Sequence, residues 1–215
     1  MKQPRLFEDA DAPVVSSLPA LRAAENVCER CPIHKITTHA VPGEGARHAA
    51  MMLVGEQPGD KEDIAGKPFV GPAGRLLDRA LEEAGISRRE TYVTNAVKRF
   101  KHEMRGKRRL HKRPNTYEID RCRWWLDQEL RMIKPDVIVM LGATAARSVL
   151  KRPAVIGKLR GQPLPLEEEG ATGFVTIHPS ALLRIEDEVD KKRQYRAFVD
   201  DLGRAAAYLH KRKAA

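Results

Sequence analysis

Four short apolar runs, each closed by a polar turn or a glycine, constrain this chain more than any other feature. They are Ala49–Val54 (AAMMLV), Thr91–Val97 (TYVTNAV), Asp136–Leu141 (DVIVML) and Gly173–Ile177 (GFVTI). Each is continuous rather than strictly alternating, the pattern of a strand buried on both faces. Helical spacing fills the intervals. Leu76, Leu77, Ala80, Leu81 and Ala84 share one face and stop at Gly85, a helix-ending residue. Asn115, with Glu118 three residues on, has the form of a capping box. It opens a helix that carries Ile119, Cys122, Leu126, Leu130 and Ile133 inward and ends at Lys134-Pro135. Further helices are expected over 19–30, over Ala143–Leu150 and from about Asp190 to Lys211. Strands alternating with helices predict an α/β fold, a three-layer α/β/α sandwich around a central, mainly parallel four-stranded sheet. Ligands of such sheets bind at the carboxyl ends of strands. The polar motifs of this chain lie just after the predicted strands: Gly55-Glu56-Gln57-Pro58-Gly59, Asn95 with a basic stretch, Gly142 onward, and His178-Pro179-Ser180.

The chain has 215 residues, of which 42% are hydrophobic and 32% charged, a balance suited to a globular domain rather than a disordered chain. Residues 1–18 read as a flexible arm and 19–215 as a single domain. No apolar run approaches the roughly 20 residues of a membrane helix, and no basic-then-apolar leader opens the chain. The expectation is a cytoplasmic monomer without a membrane partner.

Charge is concentrated. Nine of the cationic residues fall between Lys98 and Arg113, against the single acid Glu103, so this stretch carries +8 of the net +10. A cationic loop of this density suits a polyphosphate partner, although a solvated basic loop has the same composition. The three cysteines are Cys28, Cys31 and Cys122. An odd count without a leader argues against a disulfide framework. The C-x-x-C of Cys28 and Cys31 precedes the first strand and is followed by Pro32, which favours a metal site over thioredoxin-like redox chemistry.

Together, GEQPGDKEDIAGKPFVGPAGRLLD (Gly55–Asp78), TNAVK (Thr94–Lys98), the helix with Cys122, VIVMLGATA (Val137–Ala145) and HPS (His178–Ser180) resemble the Fe–S uracil-DNA glycosylases of family 4, in order and spacing over about residues 21–210. KRRLH (Lys107–His111) resembles the insertion that marks the UdgX-type branch, where Ile usually stands in place of Leu110. The resemblance implies a [4Fe–4S] cluster and a pocket for a flipped uracil in single-stranded DNA. It also implies an enzyme that excises the base and then holds the abasic sugar covalently, self-inactivating after one turnover.

The chemistry of the residues agrees with that implication. A glycosylase must take the base out of the stack, read its Watson–Crick edge and hold the ring. The Asn95 amide offers a donor and an acceptor to that edge, while Gly55 is implied as a substrate-binding residue and Phe69 as the stacking platform. Phe69, in a Gly-rich segment after Pro68, is not expected in the core. Cleavage leaves negative charge on uracil and oxocarbenium character on the sugar. His178 is placed to donate to the uracil anion, with Ser180 completing its motif. His111 is the implied nucleophile towards C1′, since a neutral imidazole held there competes with water. Glu56 would orient or polarise that imidazole, Gln57 would fit a site not built to deliver water, and Arg109 would order the loop or contact DNA.

Cys28, Cys31 and Cys122 supply three cluster ligands. At the position where the resemblance leads one to expect a fourth stands Arg99, which cannot ligate. His102 is the candidate in its place, with His34 and His39 as rivals and a cluster with only three protein ligands as the alternative. A Cys3His zinc site is the other metal reading. Two other functions stay open on sequence: a conventional glycosylase that turns over, and a non-catalytic Fe–S protein that binds single-stranded DNA.

Overall fold

A computed structural model describes residues 15–166 and 170–214. The expected arm lies mostly outside this range, and its last residues lead into the first helix. In chain order the elements begin with α1 (Leu18–Asn26), β1 (Glu44–Gly45), β2 (Met51–Gly55), α2 (Asp60–Ala65), α3 (Pro72–Glu83) and β3 (Thr91–Asn95). There follow β4 (His102–Arg105), β5 (Arg108–His111), α4 (Thr116–Ile133), β6 (Val137–Leu141) and α5 (Ala143–Leu150). The last are α6 (Ile156–Leu159), β7 (Leu164–Pro165), β8 (Thr172–Thr176), α7 (Pro179–Leu182) and α8 (Glu188–Ala214).

The four predicted strands form the parallel centre of the sheet, in the order β3-β2-β6-β8. The expectation of four strands needs one correction. Two-residue strands β1 and β7 pair antiparallel on the outer edges, giving six strands in the order β1-β3-β2-β6-β8-β7. Such short strands leave no periodicity to read and serve to cover exposed sheet edges.

The period of two in a strand sends alternate side chains to opposite layers. Leu53, Val93, Val139, Leu141 and Phe174 face Leu77 and Leu81 of α3 and Phe198 and Leu202 of α8. Met52, Val54, Tyr92, Ile138 and Met140 face Leu126, Leu130 and Ile133 of α4 and Ala145, Ala146 and Val149 of α5. Both faces are thus buried, which is why these strands read as continuous apolar runs. Asn115 accepts from the Glu118 amide at 2.9 Å while the Glu118 carboxylate accepts from the Asn115 amide at 2.7 Å, completing the capping box of α4. The helix expected over 19–30 ends earlier, at Asn26, so the C-x-x-C lies beyond it. Among the described residues no helix is long and apolar enough to cross a membrane.

From β2 the chain crosses to β3 on one side, and β6 and β8 then lie on the other side of β2. The order of strands therefore reverses between β2 and β6, and the crevice above their carboxyl ends is the expected ligand position.

Candidate active site

A cavity of about 340 Å³ lies at that crevice and is lined by Glu56, Phe69, Asn95, His111, His178 and Ser180, among others. Residues from four separate motifs therefore converge on one space. Gly55 and Asn95 end neighbouring strands in register. A Cβ at Gly55 would collide with Asn95 Oδ1 and with Phe69 Cζ, so only glycine lets the amide and the ring meet over the strand end. Phe69 adopts φ of 56°, a left-handed conformation that costs a non-glycine residue on the order of 1–3 kcal/mol. Its backbone packs where a Cβ of Gly74 would stand, on the first turn of α3. Contrary to the expectation from its Gly-rich surroundings, Phe69 is in the core, 6% exposed, packed with Leu53 and Leu77. Its ring also lines the cavity, 6.3 Å from the His178 ring.

His178 follows β8 and caps α7. The Ser180 amide donates to His178 Nδ1 at 3.2 Å, and the Ser180 hydroxyl lies 2.8 Å from the same nitrogen. A ring nitrogen that accepts carries no proton, so the neutral ring has its proton on Nε2. Burial lowers the His178 pKa to about 4, with Arg184 and His111 adding to the shift against the pull of Glu56. The imidazole is thus a neutral Nε2–H donor at ordinary pH.

The basic stretch is not the loop expected of it. β4 and β5 form an antiparallel hairpin that turns at Gly106, where φ is +60°. Gln57 clamps its neck: the side-chain amide donates to the carbonyls of Lys101 and Lys112 at 3.2 and 3.1 Å and accepts from the Lys101 amide at 3.1 Å. Gln57 also lines the cavity, with its amide committed to the backbone of the hairpin. Arg109 latches the same hairpin onto α2, donating to Asp60 at 2.6 Å and Asp63 at 2.5 Å and covering the Phe100 ring at 5.6 Å. Arg109 thereby joins β5 to α2.

Between neck and latch, β5 carries His111 to the cavity rim. Its Nε2 lies 3.3 Å from Glu56 Oε1, and its side chain is 51% exposed. Glu56, directly after β2, is held from the other side by Thr144, whose hydroxyl donates to Oε2 at 2.6 Å. Burial alone would raise the Glu56 pKa, but the hydrogen bonds from His111 and Thr144 outweigh it and keep the carboxyl below its ordinary range. Thr144, Asp60 and Asp63 were not singled out on sequence.

The cations of the stretch are largely consumed within the protein. Lys98 is buried and pairs with Glu129 at 2.6 Å. Lys101 pairs with Glu118 and Lys112 with Glu103, both at 2.8 Å. Arg105, Lys107 and Arg108 at the hairpin turn, and Arg113 beyond it, remain exposed. The expected single cationic loop is therefore a small cluster around the hairpin tip.

The three cysteines share one apolar cluster with Leu21, Ile33, Val97, Ile119 and Trp125. The Lys98 amide donates to Cys122 Sγ at 3.2 Å and Trp125 Nε1 donates to Cys28 Sγ at 3.3 Å. Burial pushes the Cys122 thiol up to about 12. Among the described residues, no group of three or more His, Cys, Asp and Glu is arranged to hold a metal ion. His102 stacks on Phe100 at 5.0 Å in the hairpin and its Nδ1 bonds the Phe100 carbonyl. His34 Nδ1 bonds the Cys31 carbonyl at 2.7 Å, and His39 Nδ1 the Asp63 carbonyl at 3.0 Å. Arg99 donates to the carbonyls of Glu25, Asn26 and Cys28 and to Thr37. It thus ties the C-terminus of α1 and the start of the C-x-x-C to the loop after β3.

A parallel sheet with a polar cavity at its switch point, floored by an amide and a ring, defines an α/β protein built to enclose a small planar group. The profile of the Uracil DNA glycosylase superfamily matches residues 42–203, and the chain belongs to that superfamily. It is 37% identical over 186 residues to a type-4 uracil-DNA glycosylase of Thermotoga maritima, covering 86% of this chain and 90% of the relative. A type-4 enzyme of Pyrobaculum aerophilum is 36% identical over 163 residues, covering 73% and 80%. A type-5 uracil-DNA glycosylase of the same organism is 29% identical over 160 residues, covering 66% of each.

Proposed function

We propose that this protein excises uracil from single-stranded DNA and keeps the abasic sugar, bonded through C1′ to His111. The observation that carries the reading is the placement of His111, held against Glu56 at the rim of the cavity that Asn95, Phe69 and His178 line. The flipped base lies on Phe69 with its polar edge on the Asn95 amide. The bond between C1′ and uracil N1 breaks with its electron pair passing to the base, and His178 Nε2–H donates to the oxygen on which that charge gathers. A ring nitrogen of His111 then gives its lone pair to C1′. The product imidazolium keeps its other N–H, and the Glu56 carboxylate neutralises its charge. The uracil anion takes a proton from solvent.

Cys28, Cys31 and Cys122 belong in this reading as three thiolate ligands of a [4Fe–4S] cluster. Their shared cluster and the two N–H donors on sulfur suit thiolates, whose charge such donors stabilise. By residue type the set ends at three donors, and as they stand the described side chains are not grouped to hold a metal ion. Arg99 cannot ligate, its guanidinium is spent on carbonyls, and His102 is engaged in the hairpin. The bound cluster would tie the segment after α1 to α4, a structural part; the chemistry of base release rests on the cavity residues.

The deciding experiment mixes purified protein with a uracil-containing single-stranded oligonucleotide, and a thymine control, on a denaturing gel. A band that survives heat and detergent and forms only with uracil is expected, with the modified peptide containing His111. Alkali-labile DNA without that band would make the protein a conventional, turning-over glycosylase. Neither product would leave a DNA-binding protein. Binding should weaken with salt by only about 0.7 per phosphate contact on a log–log plot. With five exposed cations around the hairpin, Lys112 among them, a slope of about −3.5 is expected for single-stranded DNA, and one of about −6 would show that the remaining cations also release themselves to phosphate.

A further inference from the structure

We infer that Thr144 is the positioning residue that aims Glu56 at His111, and so sets whether the abasic sugar is captured by the imidazole or by water. The inference rests on the covalent-capture reading for its second half, while the hold of Thr144 on Glu56 stands on geometry alone.

Glu56 is the first residue after β2, and Thr144 the second residue of α5, directly after β6. These are adjacent parallel strands on either side of the switch point, so the hydrogen bond between them spans the mouth of the crevice. Thr144 is buried, 1% exposed, and β-branched, which limits it to few χ1 rotamers, and in the one observed its hydroxyl points at Glu56. Its donation at 2.6 Å occupies Glu56 Oε2. Oε1 is the oxygen left facing His111 Nε2. The two oxygens therefore have separate partners on separate elements, and rotation of the carboxylate about its last bond is stopped from one side by a rigid donor. The other charged or titratable groups around Glu56 are Arg113, whose exposed guanidinium is 3.9 Å from Oε2, and His178, which acts on it through space. Arg113 is 67% exposed, so it cannot replace the buried hydroxyl as a fixed anchor.

A carboxylate without that anchor can turn away from the imidazole and accept from a water molecule. Such a water, at the rim where C1′ must sit, is the competitor of His111 for the sugar cation, and Glu56 would be its general base. Thr144 thus favours capture over hydrolysis by removing one of the two oxygens from water's reach and committing the other to the histidine. The hydroxyl also stabilises the charged carboxylate, so its loss should move the Glu56 titration upward.

The test compares wild type with Thr144→Val, which keeps shape and removes the donor, and Thr144→Ser, which keeps the donor. In DNA-free protein, carbon-detected NMR follows the Glu56 carboxyl titration. With uracil-DNA, the ratio of heat-stable adduct to free uracil is measured across pH. The Val variant should titrate Glu56 at higher pH and lower the adduct ratio about tenfold, the worth of one hydrogen bond to a charged group. The Ser variant should restore both. An unchanged titration and an unchanged ratio in Thr144→Val would overturn the inference. A shifted Glu56 titration in a protein whose wild type forms no adduct would uphold Thr144 as the anchor of Glu56 and overturn the capture reading instead.

Discussion

A His111→Gly variant is expected to form no heat-stable adduct with uracil-DNA and to release free uracil over repeated cycles. Two features make the effect large. The imidazole is held against the cavity rim by Glu56, and groups held in place reach effective molarities of about 10⁵–10⁸ M, which solvent at its own concentration does not match. Removing it leaves a gap that water fills beside the Glu56 carboxylate, which loses the hydrogen bond from His111 and keeps the one from Thr144. A fall in adduct yield of more than about 100-fold is therefore expected, with uracil release sustained beyond one equivalent, as befits loss of a positioned nucleophile. Folding should change little, because His111 is half exposed and the hairpin is held by Gln57 and Arg109 rather than by it. Glycine in a strand costs about 0.5–1 kcal/mol, small against the stability of a domain. Gel analysis for adduct and chromatography for free base read both effects. Persistence of the adduct in this variant would transfer the nucleophile to another residue.

Much of this arrangement was legible in the chain, for identifiable reasons. The central strands were visible because both faces of the sheet are covered, so no polar residue interrupts the apolar runs. The Asn115 capping box was visible because its partners are three residues apart. What escaped the sequence was long-range. The hairpin of β4 and β5 is made of residues such as HEMR and RRLH, whose charge hides any alternation. Only Gly106, which the turn needs for its positive φ, signalled a reversal. Arg109 meets Asp60 and Asp63 across some fifty residues of chain, and Glu56 meets Thr144 across 88. Composition also counts charges without their partners. Lys98 looked like part of a DNA-binding stretch, yet its ammonium is wholly buried against Glu129. Phe69 was misplaced for a related reason: a glycine-rich segment suggests a loop on the surface, whereas Gly55 and Gly74 are there to let this ring and its backbone sink into the core.

The buried pair also carries the largest expected effect on stability. Glu129 lies at zero exposure on α4, and four groups converge on it: the Lys98 ammonium at 2.6 Å, the Gly43 amide at 2.9 Å, and the Tyr92 and Thr94 hydroxyls, both at 3.1 Å. Lys98 in turn donates to Thr94 and to the carbonyl of Asn95, the residue at the floor of the cavity. Burial disfavours the ammonium, but Glu129 and Glu25 outweigh that cost and raise the Lys98 pKa, so the ammonium keeps its proton. Replacing such an ion pair by fitted apolar residues is often neutral, whereas removing one partner strands the other, at about 3–5 kcal/mol. Glu129→Ala should therefore lower stability by about 3–5 kcal/mol and Tm by ~10 °C or more for a domain of this size. The double variant Lys98→Met with Glu129→Leu should recover a large part of that loss. Its site, however, would lack the ammonium under Asn95, so recovery of stability should not restore uracil release in full. Thermal and denaturant unfolding, set beside glycosylase assays of the same samples, separate the two effects. If Glu129→Ala melted with the wild type, the pair would have to be open to water, and the carbonyl of Asn95 would need another support.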